Sequence, residues 1–227
     1  MKKIIILFVL SLLYSKIQAQ NSAEKKLGTW YMFNGTHKLS ERTALKTMAH
    51  LRYFETASEF QQEIYRLGFN YSLTPKTNLT FGFSYATADT AYDIPSNNLY
   101  EFRLYEDLNL KSKWRKFNAK HRIRFEHRFI HKNLIENVTQ NWVRYNLNIS
   151  YPVSKKWSAF IFNELFLNLD KGKSFNQNWT GTGFLYTLNN SVKLKTSYFQ
   201  IKSPTGVLKR LQLGIILNTS HTKKTTI

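Results

Sequence analysis

The sequence predicts an all-β protein, an antiparallel transmembrane β-barrel of about ten to twelve strands. Three observations carry this expectation. From Leu27 onward the 227-residue chain divides into segments in which apolar and polar residues alternate with period two. The links between segments alternate between short and longer, as they do in outer-membrane barrels. The chain opens on an export-type leader, and no later segment approaches a transmembrane helix.

In the leader, Met1, Lys2 and Lys3 form a positive n-region and Ile4 to Tyr14 an apolar run, too short to span a bilayer as a helix. Polar residues Ser15 to Gln18 lead to the small Ala19, with Ile17 less typical two places before it. Residues 1–19 therefore read as a signal peptide and 20–227 as a single barrel domain. The length and flanks argue against the alternatives, a retained anchor or a first hydrophobic strand. Loss of Lys2, Lys3 and Lys16 would lower the formal charge of +19 by three, leaving a strongly basic chain.

The strands follow in order. Leu27 to Thr36 is a first apolar-rich segment. Tyr65, Leu67, Phe69, Tyr71 and Leu73 alternate with Arg66, Gly68, Asn70 and Ser72. After the turn at Thr74, Pro75 and Lys76, Leu79, Phe81, Phe83 and Tyr85 oppose Thr80, Gly82 and Ser84, so both apolar faces of this hairpin share one side. Phe102, Leu104, Leu108 and Leu110 oppose Glu101, Arg103, Asp107 and Asn109; Glu106 alone breaks the apolar parity. Ile123, Phe125 and Phe129 oppose Lys120, Arg122, Arg124, Glu126 and Arg128. Val143, Tyr145, Leu147, Ile149 and Tyr151 oppose Arg144, Asn146, Asn148 and Ser150. Last, Leu211, Leu213, Ile215 and Leu217 oppose Arg210, Gln212 and Gly214.

Tight turns are expected at Lys38–Ser40, Thr74–Lys76, Lys111–Arg115, Pro152–Lys156 and Asn189–Ser191. Longer links are expected at Glu55–Glu59, Ala88–Asn98, His131–Asn137 and Asp170–Phe175. Aromatics toward strand ends, Trp30, Tyr31, Tyr53, Tyr100, Trp142, Tyr151, Trp157 and Trp179, suit interfacial girdles. The count comes to about eleven strands, whereas single-chain bacterial barrels have an even number. Either the Leu27–Thr36 segment falls short of a full wall strand, or two strands are merged.

Leu27-Gly28-Thr29-Trp30, Leu51-Arg52-Tyr53, the run from His121 through Arg122, Ile123, Arg124, Phe125, Glu126 and His127 to Arg128, Asn163-Glu164-Leu165-Phe166 and Arg210-Leu211-Gln212-Leu213-Gly214 together resemble the DUF2490 family of exported bacterial proteins. The resemblance covers nearly the whole mature chain. It implies a barrel-like outer-membrane protein and supplies no functional residues.

With apolar faces turned to lipid, the polar faces would line a lumen. They carry Lys46, His50, Arg52, Arg66, Arg103, Lys120, Arg122, Arg124, Arg128, Arg144, Lys193, Lys195 and Arg210 against Glu101, Asp107, Glu126 and Glu164. From these, Arg52, Arg66, Glu101, Arg103, Asp107, Arg122, Arg124, Glu126, Arg128, Arg144, Glu164 and Arg210 are the candidate charge network. Ten to twelve strands lie between barrels filled by side chains and those holding a water channel, so the bore should be narrow or plugged. Two readings remain open: Arg–carboxylate pairs that hold the lumen together, or a site or pathway for small anions, which Arg suits.

The absence of cysteine excludes a disulfide framework, thiolate metal sites, a catalytic thiol and a lipidated N-terminal cysteine. His37, His50 and His131 lack metal-ligand spacing, and no cofactor is expected. His121 and His127 fall on the outward face, yet no serine is spaced to serve as a nucleophile beside them. The expectation is therefore a non-enzymatic outer-membrane barrel serving envelope integrity or small-anion passage, with a lipid-modifying enzyme as the alternative. A soluble exported basic β-protein that binds nucleic acid is a lesser alternative. It is opposed by export and by polar faces too charged for a sandwich core. Expected partners are outer-membrane lipid, lipopolysaccharide (which lysines near Lys171 and Lys173 could touch), the barrel-assembly machinery and a small anionic ligand.

Overall fold

A computed structural model describes residues 26–89, 92, 98–132, 135–170 and 174–222. The expected signal peptide and the loop lysines Lys171 and Lys173 lie outside the described residues. Eleven strands close into one barrel: β1 (Leu27–Lys38), β2 (Thr43–Tyr53), β3 (Phe60–Ser72), β4 (Thr77–Asp89), β5 (Asn98–Trp114), β6 (Phe117–Lys132), β7 (Ile135–Pro152), β8 (Trp157–Asn168), β9 (Phe175–Thr187), β10 (Val192–Ser203) and β11 (Gly206–Ser220). Chain neighbours pair antiparallel throughout, and β1 closes on β11 in parallel, Leu27 opposite Lys209 and Lys38 opposite Ser220. Parity requires this: an odd number of alternating strands leaves the first and last pointing the same way. The even-number expectation is thus corrected. No strands are merged, and β1 is a full wall strand, paired with β11 along its whole length and with β2 from Trp30 to Lys38.

Following paired residues once around the wall returns to β1 displaced by about 14 residues. That stagger fits the strand tilt of roughly 35–45° usual in barrels. Even the shortest strand, β2 with 11 residues, then rises about 25 Å.

Side chains alternate as the period-two pattern requires. Outward go Phe69, Phe81, Phe83, Tyr85, Phe102, Leu104, Phe125, Ile161, Phe184, Leu194, Leu213 and Ile215, all exposed. Inward go Glu101, Arg103, Asp107, Arg124, Glu126, Arg144, Glu164 and Arg210, all buried. Tyr71, Trp114, Phe117, Tyr151, Trp157 and Tyr186 band the outer wall near one rim. Trp30, Trp142 and Trp179 depart from the expected girdle. Their parity is inward, where Trp30 is buried against Trp179 and Phe199. Glu106 faces outward in unbroken register, between Phe81 and Phe125.

At this turn rim four links share one device. Ser40, Thr74, Ser154 and Asn189 each accept, on the side-chain oxygen, backbone N–H groups two and three residues on, the ST- and Asx-turn chemistry of these residue types. Each follows an exposed apolar residue: Leu39, Leu73, Val153 or Leu188. The fifth link is shorter than expected: β5 runs to Trp114 and leaves only Arg115 and Lys116, with Arg115 at φ 52°. At the opposite loop rim the expected long link at His131–Asn137 shrinks to residues 133–134, outside the described residues, and β10 and β11 are joined by 204–205 alone.

Candidate functional site

Every residue expected to line the lumen points into it. The upper lumen, toward the loop rim, holds a ladder of guanidinium and carboxylate groups on β3 and β5–β8. Glu101 takes a two-pronged contact from Arg103 (2.5 and 2.7 Å) and another from Arg128 (2.5 and 2.9 Å). Asp107 takes the fork of Arg124 at 2.5 and 2.7 Å. Glu126 sits at the centre, 2.8 Å from Arg144 and 3.5 to 3.8 Å from Arg124, Arg66 and Arg103. Glu164 accepts from Arg122 and Arg144, both at 2.6 Å, and from Asn146. Planar guanidinium forks match carboxylates two atoms at a time, which is why arginine fills this ladder.

The aromatics complete the packing. Arg66 and Arg124 lie over Tyr105, Arg128 over Trp142 at 3.7 Å and Arg144 over Phe166 at 4.1 Å. Arg52 and Arg210, counted with the network in the sequence, stand outside it. Arg52 stacks on Trp30 at 3.9 Å, reaches Gln62 at 2.8 Å and touches His50. Arg210 gives a hydrogen bond to the Lys209 carbonyl. With Trp30, Trp179, Phe199, Phe166 and Ile201, these side chains fill the bore toward the loop rim.

Toward the turn rim the filling stops. A cavity of about 690 Å³ is lined by inward residues of almost every strand, among them Lys46, Lys111, Lys120, Lys193 and Lys195, with Asn34, Asn148 and Asn218. A smaller recess of about 260 Å³ continues above it beside Arg122, Glu164 and Trp179. Asp107 is the one acid lining the larger cavity among the described residues, and it is already held by Arg124. Lys111 was missed in the sequence because it was read as part of a turn; its odd parity with Asp107 and Asn109 on β5 was the available signal. The luminal tryptophans were missed because an aromatic near a strand end has the same composition whichever way it faces.

On the outer wall, His127 lies 3.6 Å from Glu106 and hydrogen-bonds Asn141 at 2.9 Å, and Asn141 in turn bonds Asp170. His121 meets Tyr145 at 2.8 Å. No cluster of three or more metal-ligating side chains occurs among the described residues. At the loop rim, Lys26 and Tyr92 hydrogen-bond Glu55 and hold its carboxyl down to about 2, and Glu55 in turn pushes Lys26 up.

A family profile described as "Protein of unknown function (DUF2490)" matches residues 27–205, so the Arg210–Gly214 motif lies beyond the matched span. No curated protein matches the chain. Among solved structures, LpxR from Salmonella typhimurium is similar over 77% of this chain and 83% of its own, at 9% identity and a TM-score of 0.43.

Proposed function

The chain belongs to the DUF2490 family, which carries no assigned activity, and on that premise we propose that it is a non-enzymatic outer-membrane barrel with a cationic, plugged lumen. One observation carries the reading: large apolar side chains are exposed around the whole outer wall while charges are buried inside. In water that arrangement is inverted; in a bilayer the wall meets hydrocarbon and the charged interior is sheltered. The 11- to 18-residue strands meet or exceed the roughly 9–11 a tilted transmembrane strand needs. The short turns point to the periplasm and the longer links outward. Export by the leader and insertion by the barrel-assembly machinery belong to this proposal.

The filled upper bore supports a role in envelope integrity over free passage, since the ladder and the cluster of Trp30, Trp179 and Phe199 occupy it toward the loop rim. Fractionation and gel migration with and without boiling test the reading. The protein is expected in the outer membrane with a heat-dependent shift; a soluble periplasmic protein without a shift would revive the basic β-protein reading. In planar bilayers no stepwise conductance is expected, and steady single-channel steps would restore small-anion passage.

A second reading, a lipid-modifying enzyme, is favoured by one observation, the outward His127 held between Glu106 and Asn141. Turnover of phospholipid or lipid A that disappears in His127→Ala would establish it.

A further inference from the structure

The lysines at the turn rim differ from the arginines above them in what balances their charge. On adjacent strands, Arg103 stands directly opposite Arg128, and Arg124 opposite Arg144. Like charges so placed repel, and each arginine pair is reconciled by a carboxylate both members reach: Glu101 for the first, Glu126 for the second. Lys111 stands opposite Lys120 in the same way on β5 and β6. Among the described residues no carboxylate answers this pair. Lys193 and Lys195 likewise make no ion pair among the described residues, though Glu164, already shared by Arg122 and Arg144, attracts Lys195 from a distance, while Lys46 gives its hydrogen bond to Thr36.

The cavity volume of about 690 Å³ falls within the roughly 300–1,000 Å³ of small-molecule sites. Just above, the Nε atoms of Arg66 and Arg122 are buried without an acceptor among the described residues. The neutral part of the lining, which also holds threonines and apolar side chains, includes amides with free capacity: Asn34, Asn148 and Asn218 make no side-chain hydrogen bond among the described residues, and Phe160 adds an aromatic face. Ammonium groups suit phosphate as point charges, and amides donate to and accept from hydroxyls.

Resting on the barrel reading above, we infer that this lysine ring is a dead-end binding site, open to the periplasm, for a phosphate carried on a polyol. Two sources share that chemistry, a soluble sugar phosphate and the headgroup of phosphatidylglycerol. The occupant supplies the counter-charge that Glu101 and Glu126 supply higher up, and the aromatic plug stops it from crossing.

The test is calorimetric titration of the full-length barrel in uncharged detergent with glucose 6-phosphate, with glucose as the neutral control. In parallel, phosphatidylglycerol nanodiscs are compared with phosphatidylcholine nanodiscs by protection of the ring lysines from amine-reactive labelling. Saturable binding of glucose 6-phosphate that weakens about tenfold in K111Q/K120Q, stays unchanged in the outward-facing K209Q and is absent for glucose supports a soluble ligand. Protection in phosphatidylglycerol nanodiscs alone, lost in K111Q/K120Q, supports the headgroup. No response to either phosphate, or equal responses in K111Q/K120Q and the parent, overturns the inference. Each variant is also run with and without boiling. A retained heat shift with no binding sinks the site and spares the barrel, whereas loss of the shift in the parent sinks both.

Discussion

Glu126 has one carboxylate for four guanidinium neighbours and is fully sequestered. Glu126→Gln keeps the shape and removes the charge, leaving Arg66, Arg103, Arg124 and Arg144 to repel one another in a low-dielectric interior. A loss of about 3–5 kcal/mol is expected, read as an earlier midpoint in urea titration of the heat-shifted band. The contact at the loop rim behaves differently, because it is open to water. The Glu55 carboxyl is depressed from an ordinary 4.5 to about 2. The contact is therefore at full strength above about pH 4.5 and is lost as the pH falls through about 2. On the alkaline side Lys26, raised above its ordinary 10.5, keeps its charge until the pH passes that higher value. The carboxyl carbon shift of Glu55, followed by NMR across pH 1.5 to 6 in low and high salt, checks both the midpoint and its screening. The lumen charges themselves were legible in the sequence, because parity fixes which face a residue takes. It does not fix which neighbour it meets, so the separation of Arg52 and Arg210 from the ladder appears only in three dimensions.

Between strands, inward aromatics need wall positions without a Cβ. Tyr105 leans across Gly68 and Gly82, which face each other on β3 and β4. A Cβ at Gly82 would lie 2.6 Å from the Tyr105 hydroxyl and 2.7 Å from the Gly68 Cα, besides meeting the Leu67 carbonyl. Gly82→Val should accordingly displace Tyr105 and uncouple the two arginines stacked on it, with about 1–3 kcal/mol lost. Gly82→Val combined with Tyr105→Ala should recover part of that, and the heat-shift midpoints of the two proteins decide it. Most strand identities were readable because their outer faces are largely apolar; β9, with Asn178, Thr180 and Thr182 on its outward parity, is the exception. Ends were harder: β5 extends through Lys111 to Trp114, where lysines resemble turn residues until the lumen they line is seen. The repeated Ser, Thr or Asn after an apolar residue was visible at four turns, yet only the backbone bonds show these turns to be one structural type.

For the barrel as a body, the decisive property is which solvent the outer wall meets. Phe81 is 57% exposed in the middle of β4. On a water-facing wall Phe81→Arg would be close to neutral, whereas at the bilayer midplane it should cost about 2–4 kcal/mol. Folding titrations into phosphatidylcholine bilayers measure the difference, and a neutral result would argue against the membrane assignment. The barrel was thus legible from alternation alone, while its parallel seam was not, since pairing between the first and last strands leaves no local mark in the chain. That closure has a consequence for the chain's ends. Because β1 and β11 run side by side in the same direction, Leu27 leaves the wall at one rim and Ser220 at the other. A tag grafted just ahead of Leu27 and a tag grafted just after Ser220 would occupy different compartments. With the outer-membrane orientation proposed above, protease added to intact cells should strip the first and spare the second, and the odd strand would then present an N-terminal passenger on the cell surface.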